Sequence, residues 1–387
     1  MPSVFVPRES RAGETRVAAT PETVDKLVKA GLEVVVETGA GARARRSDDE
    51  YRKVGARIVE GGDEEGPVWK PADLVLKVQP PTLEEARRLA RGSMLISFVV
   101  ASSQPDVVQA LADGHVTTLA MELVPRISRA QVMDALSSQA TVAGYKAVLL
   151  AATQLEQLCP LLMTAAGTVR PARCVVFGAG VAGLQAIATA RRLGCIVEAT
   201  DVRLAAKEQV ESLGAKFITV PGAEDLEGEG GYARQASEEF LRRQREEVAK
   251  RVAEADIVIT TAQVPGRRAP VLVSEEMLRA MKPGSVIVDM AVESGGNCAL
   301  SRAGETVEAH GVTILGPSNL PATVPVDASN LYARNVFALA KLLITKEKTL
   351  VLDRDDEVIA GCLMTHEGKV VHAPTAEQLA AQGNSRS

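Results

Sequence analysis

The chain has 387 residues, 46% of them hydrophobic and 24% charged, with aromatics at 3% and a formal net charge of −5. That length exceeds the usual single-domain range and predicts two domains with mainly aliphatic cores. The acidic balance and the scarcity of stacking rings argue against nucleic acid or anionic lipid as a main partner.

Short aliphatic runs alternate with amphipathic segments from end to end, the pattern of parallel sheets covered on both faces. Val4-Phe5-Val6 opens the series. Thr20-Pro21 then reads as a cap with proline at the first helical position, and Gly31 as the helix stop. Strands are predicted at 32–36, 72–78, 93–100 and 116–120, with helices at 83–90 and 106–113. A long helix is predicted over 128–162, ended or kinked by Pro160. Further strands follow at 174–177, 196–200, 216–220, 256–261, 285–290 and 312–315, then a helix over 328–344 that leads the chain back to the first unit. The expected fold is α/β: two Rossmann-like, doubly wound parallel-sheet domains joined by long helices, with the ligand cleft between them. The first domain is expected to be discontinuous, 1–127 plus 330–387, and the second to span 128–329.

The five cysteines, Cys159, Cys174, Cys195, Cys298 and Cys362, form no CxxC pair and show no metal spacing with histidine. They read as free buried thiols of a reducing compartment, and no metal site is expected. The opening MPSVFVPRES lacks the regions of a signal peptide, and no run of about 18 apolar residues occurs, so a soluble, cytoplasmic chain is expected.

Gly178-Ala179-Gly180-Val181-Ala182-Gly183 forms GxGxxG between a predicted strand and a predicted helix that Gly194 closes. Glycines there let the backbone turn sharply and approach a pyrophosphate at the helix N-terminus. Asp201 ends the next strand roughly twenty residues on, where an acid chelates the ribose diol. A carboxylate at that position repels a 2′-phosphate and favours NAD(H) over NADP(H), although Arg203 lies close enough to receive one. Val202 lies between the two, and Ala262 and Gln263 follow a later strand end, so these residues join the cofactor-binding set. Gly39-Ala40-Gly41-Ala42-Arg43-Ala44 lacks the third glycine and reads as an ordinary loop.

Ser128 and Gln131 have capping-box spacing. Gln131 and Asp134 also share one helical face, with Arg126 in the turn before, so the group reads equally as a solvated face or as a holder of a carboxamide and ribose. Residues 221–232 hold four glycines and four acidic residues. A connection of that length is either a solvated loop or a functional one. Only four histidines occur (His115, His310, His366, His372), none after a strand end at the mouth of the expected cleft. An alcohol or amino-acid dehydrogenase needs a group that moves the substrate proton, whereas hydride transfer between two nicotinamides needs orientation and dryness.

Pro7-Arg8-Glu9, Glu14-Thr15-Arg16-Val17-Ala18 and Pro21 resemble the opening of the alanine dehydrogenase/nicotinamide nucleotide transhydrogenase superfamily. Arg126-Ile127-Ser128-Arg129-Ala130-Gln131, Ser137-Ser138-Gln139, Gly230-Gly231-Tyr232-Ala233 and Val292-Glu293-Ser294-Gly295-Gly296-Asn297-Cys298 look like its transhydrogenase branch. The resemblance is closest to the NAD(H)-binding domain I of the proton-translocating NAD(P)+ transhydrogenases. It implies a Re/Si-specific enzyme, active only with partner subunits, that passes hydride from NADH to NADP+. The NADP(H) sits on a partner domain III or beta subunit, and membrane domain II subunits couple the transfer to proton translocation. It also implies a homodimer held at the inner face of the cell membrane through those partners.

By the same resemblance, Arg126, Gln131, Asp134 and Ser137 surround the nicotinamide and its ribose, with Gln131 bridging towards the partner's nucleotide. Tyr232 lies on a mobile loop, about 221–236, that closes over bound NAD(H). Arg16 and Lys77 match the arginine and lysine that alanine dehydrogenases place around pyruvate. No histidine stands in 96–100, and Glu293 takes the aspartate position. The resemblance thus leaves two alternatives to the transhydrogenase subunit: an alanine-dehydrogenase-like oxidoreductase and a silent NAD(H) sensor.

Overall fold

The computed structural model describes residues 1–60, 69, 72–220, 238–263 and 268–384. Its contacts divide the chain into two units, Met1–Gln139 with Pro321–Ser387, and Ala140–Leu320.

In the first unit the chain runs β1 (Ser3–Val6), α1 (Pro21–Lys29), β2 (Glu33–Glu37), α2 (Asp48–Lys53) and β3 (Arg57–Val59). It continues through β4 (Leu74–Leu76), α3 (Leu83–Arg88), β5 (Met94–Ser97), α4 (Pro105–Asp113) and β6 (Thr117–Ala120). Helix α5 (Ala135–Gln154) carries it across the division. The second unit holds β7 (Leu162–Thr164), β8 (Gly167–Val169), β9 (Arg173–Phe177), α6 (Val181–Arg192), β10 (Ile196–Thr200), α7 (Ala206–Ser212) and β11 (Lys216–Phe217). After these come α8 (Glu238–Ala253), β12 (Ile257–Thr260), α9 (Glu275–Ala280), β13 (Val286–Asp289), β14 (Thr306–Ala309) and β15 (Val312–Leu315). The chain then rejoins the first unit through α10 (Pro325–Ala340), α11 (Glu357–Cys362), β16 (Leu363–His366), β17 (Lys369–Val370) and α12 (Ala373–Asn384).

Each unit is built on one sheet. The first has eight strands in the order β17-β16-β6-β5-β4-β1-β2-β3, and the second has seven in the order β11-β10-β9-β12-β13-β15-β14. Pairing within these sheets is parallel except for β14 on β15, and for β16 with β6 and β17. Alternating strand residues serve opposite faces, so a sheet covered on both sides buries consecutive apolar residues in separate cores. Val4 and Val6 accordingly join one cluster while Phe5 joins another. In the second unit Cys174 and Val176 face one core, and Val175 and Phe177 the other. Prolines at the first helical positions of α1, α4 and α10 start those helices at no hydrogen-bond cost. The fold is α/β with two Rossmann-like parallel sheets.

The helix expected over 128–162 is two elements and a hairpin. Residues Ser128–Met133 form a 3-10 helix, Asp134 breaks it, and α5 stops at Gln154. β7 and β8 then pair antiparallel in a small two-stranded sheet. Pro160 lies beyond the helix end and packs on Gly194, where an added Cβ would come within 2.6 Å of the proline Cβ.

The domain limits expected at 127/128 and 329/330 differ from the contact division. Side-chain bonds explain the difference: Gln139 Nε2 donates to Ala328 O at 3.1 Å, Ser138 Oγ donates to Asn335 Oδ1 at 2.7 Å, and Asn335 Nδ2 donates to Val132 O at 2.8 Å. These ties hold both 128–139 and the start of α10 in the first unit. The strand expected over 216–220 is reduced to β11, and the 328–344 helix begins earlier, at Pro325. All five cysteines are free and buried. Among the described residues, no helix is long and apolar enough to cross a membrane.

Candidate functional site

The glycine-rich turn joins β9 to α6, and its three glycines are required for different reasons. Gly178 has φ +95°, and an added Cβ would stand 2.5 Å from Thr261 Oγ1. At Gly183 a Cβ would collide with the carbonyl oxygen of Gly178. Both are fixed by the protein's own packing. Gly180, the N-cap of α6, has φ −75° and meets nothing within 4 Å. Among the described residues, no neighbour demands a glycine there. It leaves the α6 N-terminus, with its unpaired N–H groups and positive dipole end, open to close approach by an anion. Val181, next in line, is 42% exposed. A further glycine, Gly144 on α5, lets the two helices touch, since a Cβ would collide with Ala182 O.

Asp201 follows β10 directly and turns back to the glycine turn. Its Oδ2 accepts from Ala179 N at 2.7 Å, and its Oδ1 accepts from Arg203 N at 2.8 Å. Arg203 adds Nε at 3.0 Å and Nη2 at 3.2 Å. Burial pushes the Asp201 carboxyl up, but these bonds from Arg203 and Ala179 outweigh it and hold the group below its ordinary value. The carboxylate is therefore charged at neutral pH, and each of its oxygens already accepts two hydrogen bonds, three of the four from Arg203. Val202 projects beside it at 96% exposure.

On the other side of β9 lies the end of β12. Thr261 Oγ1 donates to Phe177 O at 3.0 Å, locking that end to the turn. Ala262 is held through both backbone polar groups by Asn297, and Gln263 Nε2 donates to Met290 O at 2.9 Å. The second unit thus brings together Gly178, Ala179, Gly180, Val181, Gly183, Asp201, Val202, Arg203, Ala262 and Gln263. Tyr232 and the expected mobile loop lie outside the described residues.

Arg126, Gln131, Asp134 and Ser137 lie in the first unit. Arg126 and Gln131 are exposed, on and just before the 3-10 helix, and Val132 (64%) and Leu136 (43%) stand exposed next to them in sequence. The capping box expected at Ser128 is absent: the residue before the helix is Ile127, with no side-chain cap. The cap lies a turn later, where Asp134 Oδ1 accepts from Ser137 N at 2.8 Å. Arg129 makes a two-pronged pair with Asp356, both arms at 2.8 Å, and Asp356 in turn caps α11.

Arg16 and Lys77 are buried and internally paired. Arg16 bonds Glu14 through Nε at 2.8 Å and Nη2 at 2.7 Å, and Gln139 through Nη1 at 2.8 Å. Lys77 Nζ lies 3.3 Å from Glu9 and 3.4 Å from Glu85. Sequence reasoning missed Gly144, Asp289 and Asn297, although Asn297 stood inside a recognised motif. Only the Gly-Gly pair before it, both at positive φ, signalled a forced turn there.

Residues 5–143 match the family model described as "Alanine dehydrogenase/PNT, N-terminal domain", and 147–373 match "Alanine dehydrogenase/PNT, C-terminal domain". The chain is 50% identical over 377 residues to the first part of the NAD(P) transhydrogenase alpha subunit of Rhodospirillum rubrum, covering 95% of this chain and 97% of that protein. It is 42% identical to "NAD(P) transhydrogenase subunit alpha" of Haemophilus influenzae, over 98% of this chain and 73% of that one. The crystal structure of transhydrogenase from Sinorhizobium meliloti superposes with a TM-score of 0.87 at 47% identity, covering 95% of this chain and all of that one. With both family domains matched in order and relatives aligned along nearly its whole length, the chain belongs to the alanine dehydrogenase/PNT family and resembles its transhydrogenase alpha subunits.

Proposed function

We propose that this chain is the NAD(H)-binding subunit of a proton-translocating transhydrogenase, and that it presents NADH to NADP+ held on a partner domain. The observation that carries the reading is Gly180, whose lack of a side chain no contact among the described residues explains and a pyrophosphate would. The residues present fit the nucleotide. The α6 N-terminus offers N–H groups and dipole to the phosphates, and Asp201 offers a carboxylate to the adenosine ribose diol once the exposed Arg203 guanidinium swings aside. Ala262 and Gln263 flank the path beyond the turn.

When bound, NADH supplies the hydride. The chain's residues bind, orient and keep water out, and no proton has to be moved in the transfer itself. Gln131 and Arg126 supply exposed polar groups for the nicotinamide and the incoming partner, and Asp134 with Ser137 caps α5, which follows the 3-10 helix that bears Gln131. The exposed Val132 and Leu136 supply apolar area for docking that partner. Membrane subunits then couple the transfer to proton movement at the inner face of the membrane, and the chain works as a homodimer.

Against an alanine dehydrogenase stand Arg16 and Lys77, whose charges are already matched by Glu14, Glu9 and Glu85 instead of being left for a substrate carboxylate. The test is direct. The chain, mixed with an NADP(H)-binding transhydrogenase domain, is assayed for reduction of an NAD analogue at saturating nucleotides. Exchange in the mixture and in neither protein alone is expected. NADH binding without exchange in any mixture would instead favour a sensor.

A further inference from the structure

The β12–β13 pairing ends at Thr260 opposite Asp289, and the chain continues past the sheet edge as Thr261-Ala262-Gln263. There, among the described residues, Ala262 has no strand neighbour, and one side chain takes its place. Asn297 Oδ1 accepts from Ala262 N at 3.0 Å while its Nδ2 donates to Ala262 O at 2.9 Å and to Pro270 O at 2.8 Å. The carboxamide thereby reproduces the paired donor and acceptor of an adjacent strand.

Asn297 is itself held from behind. Its N–H donates to Asp289 Oδ2 at 2.8 Å, and both residues are 0% exposed. Asp289 also accepts from Thr260 Oγ1 at 3.0 Å, Ala291 N at 3.0 Å, Cys298 N at 2.9 Å and Ser301 Oγ at 2.5 Å. Gly295 and Gly296, at φ +103° and +80°, allow the tight turn that delivers Asn297 to this carboxylate, and a Cβ on Gly296 would stand 2.9 Å from Asp289 Oδ2. In front, a Cβ added to Gly178 would lie 3.5 Å from Ala262 N. A rigid chain of contacts therefore runs from buried Asp289 through Asn297 and Ala262 to the glycine turn.

We propose that Asn297, anchored by Asp289, is a positioning residue for the half of the dinucleotide that lies beyond the pyrophosphate. The proposal rests on the reading of this turn as the NAD(H) site. Strands β10 and β12 flank β9 on opposite sides. With Asp201 at the β10 end taking the adenosine ribose and Gly180 the pyrophosphate, the nicotinamide half extends over the β12 end. That is the segment Asn297 braces. Asn297 touches no ligand; it fixes the backbone that does.

The test titrates the full chain with NADH and with AMP by calorimetry, alongside the thermal midpoint. Wild type should bind both; failure to bind NADH at all overturns the reading of the site instead of this proposal. In Asn297→Ala, Ala262 N–H and C=O lose their partners, and NADH should weaken about tenfold while AMP stays within about twofold. A residue with a merely structural role would weaken both ligands in proportion or leave both untouched, and either result overturns the proposal. Should Asn297→Ala not fold, Ser301→Ala decides by the same ratio. It removes the hydroxyl that bonds Asp289 at 2.5 Å and Cys298 O at 3.0 Å, and should shift NADH about threefold with AMP unmoved.

Discussion

Asp134 accepts two hydrogen bonds from Ser137, one from its backbone N–H at 2.8 Å and one from its hydroxyl at 2.5 Å. The carboxylate thus caps α5 at its third residue and fixes the angle at which the 3-10 helix bearing Gln131 meets that helix. Asp134→Ala is expected to lower stability by about 1 kcal/mol and to leave NADH binding near wild type. Transhydrogenation with a partner domain should fall about tenfold, because a small misplacement of Gln131 is felt in a direct transfer. Chemical denaturation, NADH titration and the coupled assay check the three outcomes separately.

The contrast between two glycines of the turn gives a sharper test of the site. Gly180→Ala meets open space at φ −75° and should cost about 1 kcal/mol or less. NADH should nevertheless weaken more than about tenfold, since the methyl group occupies the approach of the pyrophosphate. Gly183→Ala drives a methyl into the Gly178 carbonyl and should cost about 3 kcal/mol or prevent folding. A Gly180→Ala chain that binds NADH normally would remove the main support for the site.

Much of this arrangement was legible in the sequence because it is local. The glycine turn, its flanking strand and helix, and Asp201 at the next strand end lie within one βαβ unit, and period and spacing read such a unit directly. What stayed hidden depends on distant pairing. β16 joins the first sheet only because it pairs antiparallel with β6, and nothing in Leu363–His366 announces that partner. The restart of the helix at Asp134 escaped because Ser128 with Gln131 has the same spacing signal as a true cap. Asn297 escaped for a related reason, as its three partners, on Ala262 and Pro270, lie far back in the chain.

On the proposed reading of the site, Asp201 and Arg203 would set the nucleotide preference and its pH range. The carboxyl is held below the ordinary 3.8, so NAD+ affinity should stay flat from neutral pH down to about 4 and fall below that as the ribose acceptor is protonated. The stability contribution has the same sign: present above the ordinary carboxylate range, lost as pH drops through the lowered value. Asp201→Asn removes the charge that repels a 2′-phosphate and loosens Arg203, which is 62% exposed in its side chain. NADH should weaken about tenfold and NADPH should tighten, read by fluorescence titration of each.

Arg129 and Asp356 give a separate acid-side prediction. The hydrogen bonds from Arg129 hold the Asp356 carboxyl at about 2. Its pairing therefore stabilises the fold above about pH 4 and is lost between about 4 and 2. Because the arginine side chain is 46% exposed, the contribution stays below about 1 kcal/mol. Asp356→Asn keeps a capping oxygen for α11 and removes the ion pair. Urea midpoints of the two proteins should differ at pH 7 and converge near pH 2.

Lys77 separates the transhydrogenase reading from a dehydrogenase one. Its ammonium is 1% exposed between Glu9 and Glu85, and burial pushes the Glu9 carboxyl up while Lys77 pulls it down. Lys77→Met leaves two buried carboxyls without their cation and should cost about 3–5 kcal/mol. Adding Glu9→Gln should recover some of that loss, since the second change removes one of the stranded charges. A lysine kept for substrate would behave differently: its loss would abolish NADH formation from L-alanine and NAD+ and leave stability nearly unchanged. The expected result is the reverse, with no alanine oxidation in wild type, a large drop in the urea midpoint for Lys77→Met, and NADH binding by the folded fraction close to normal.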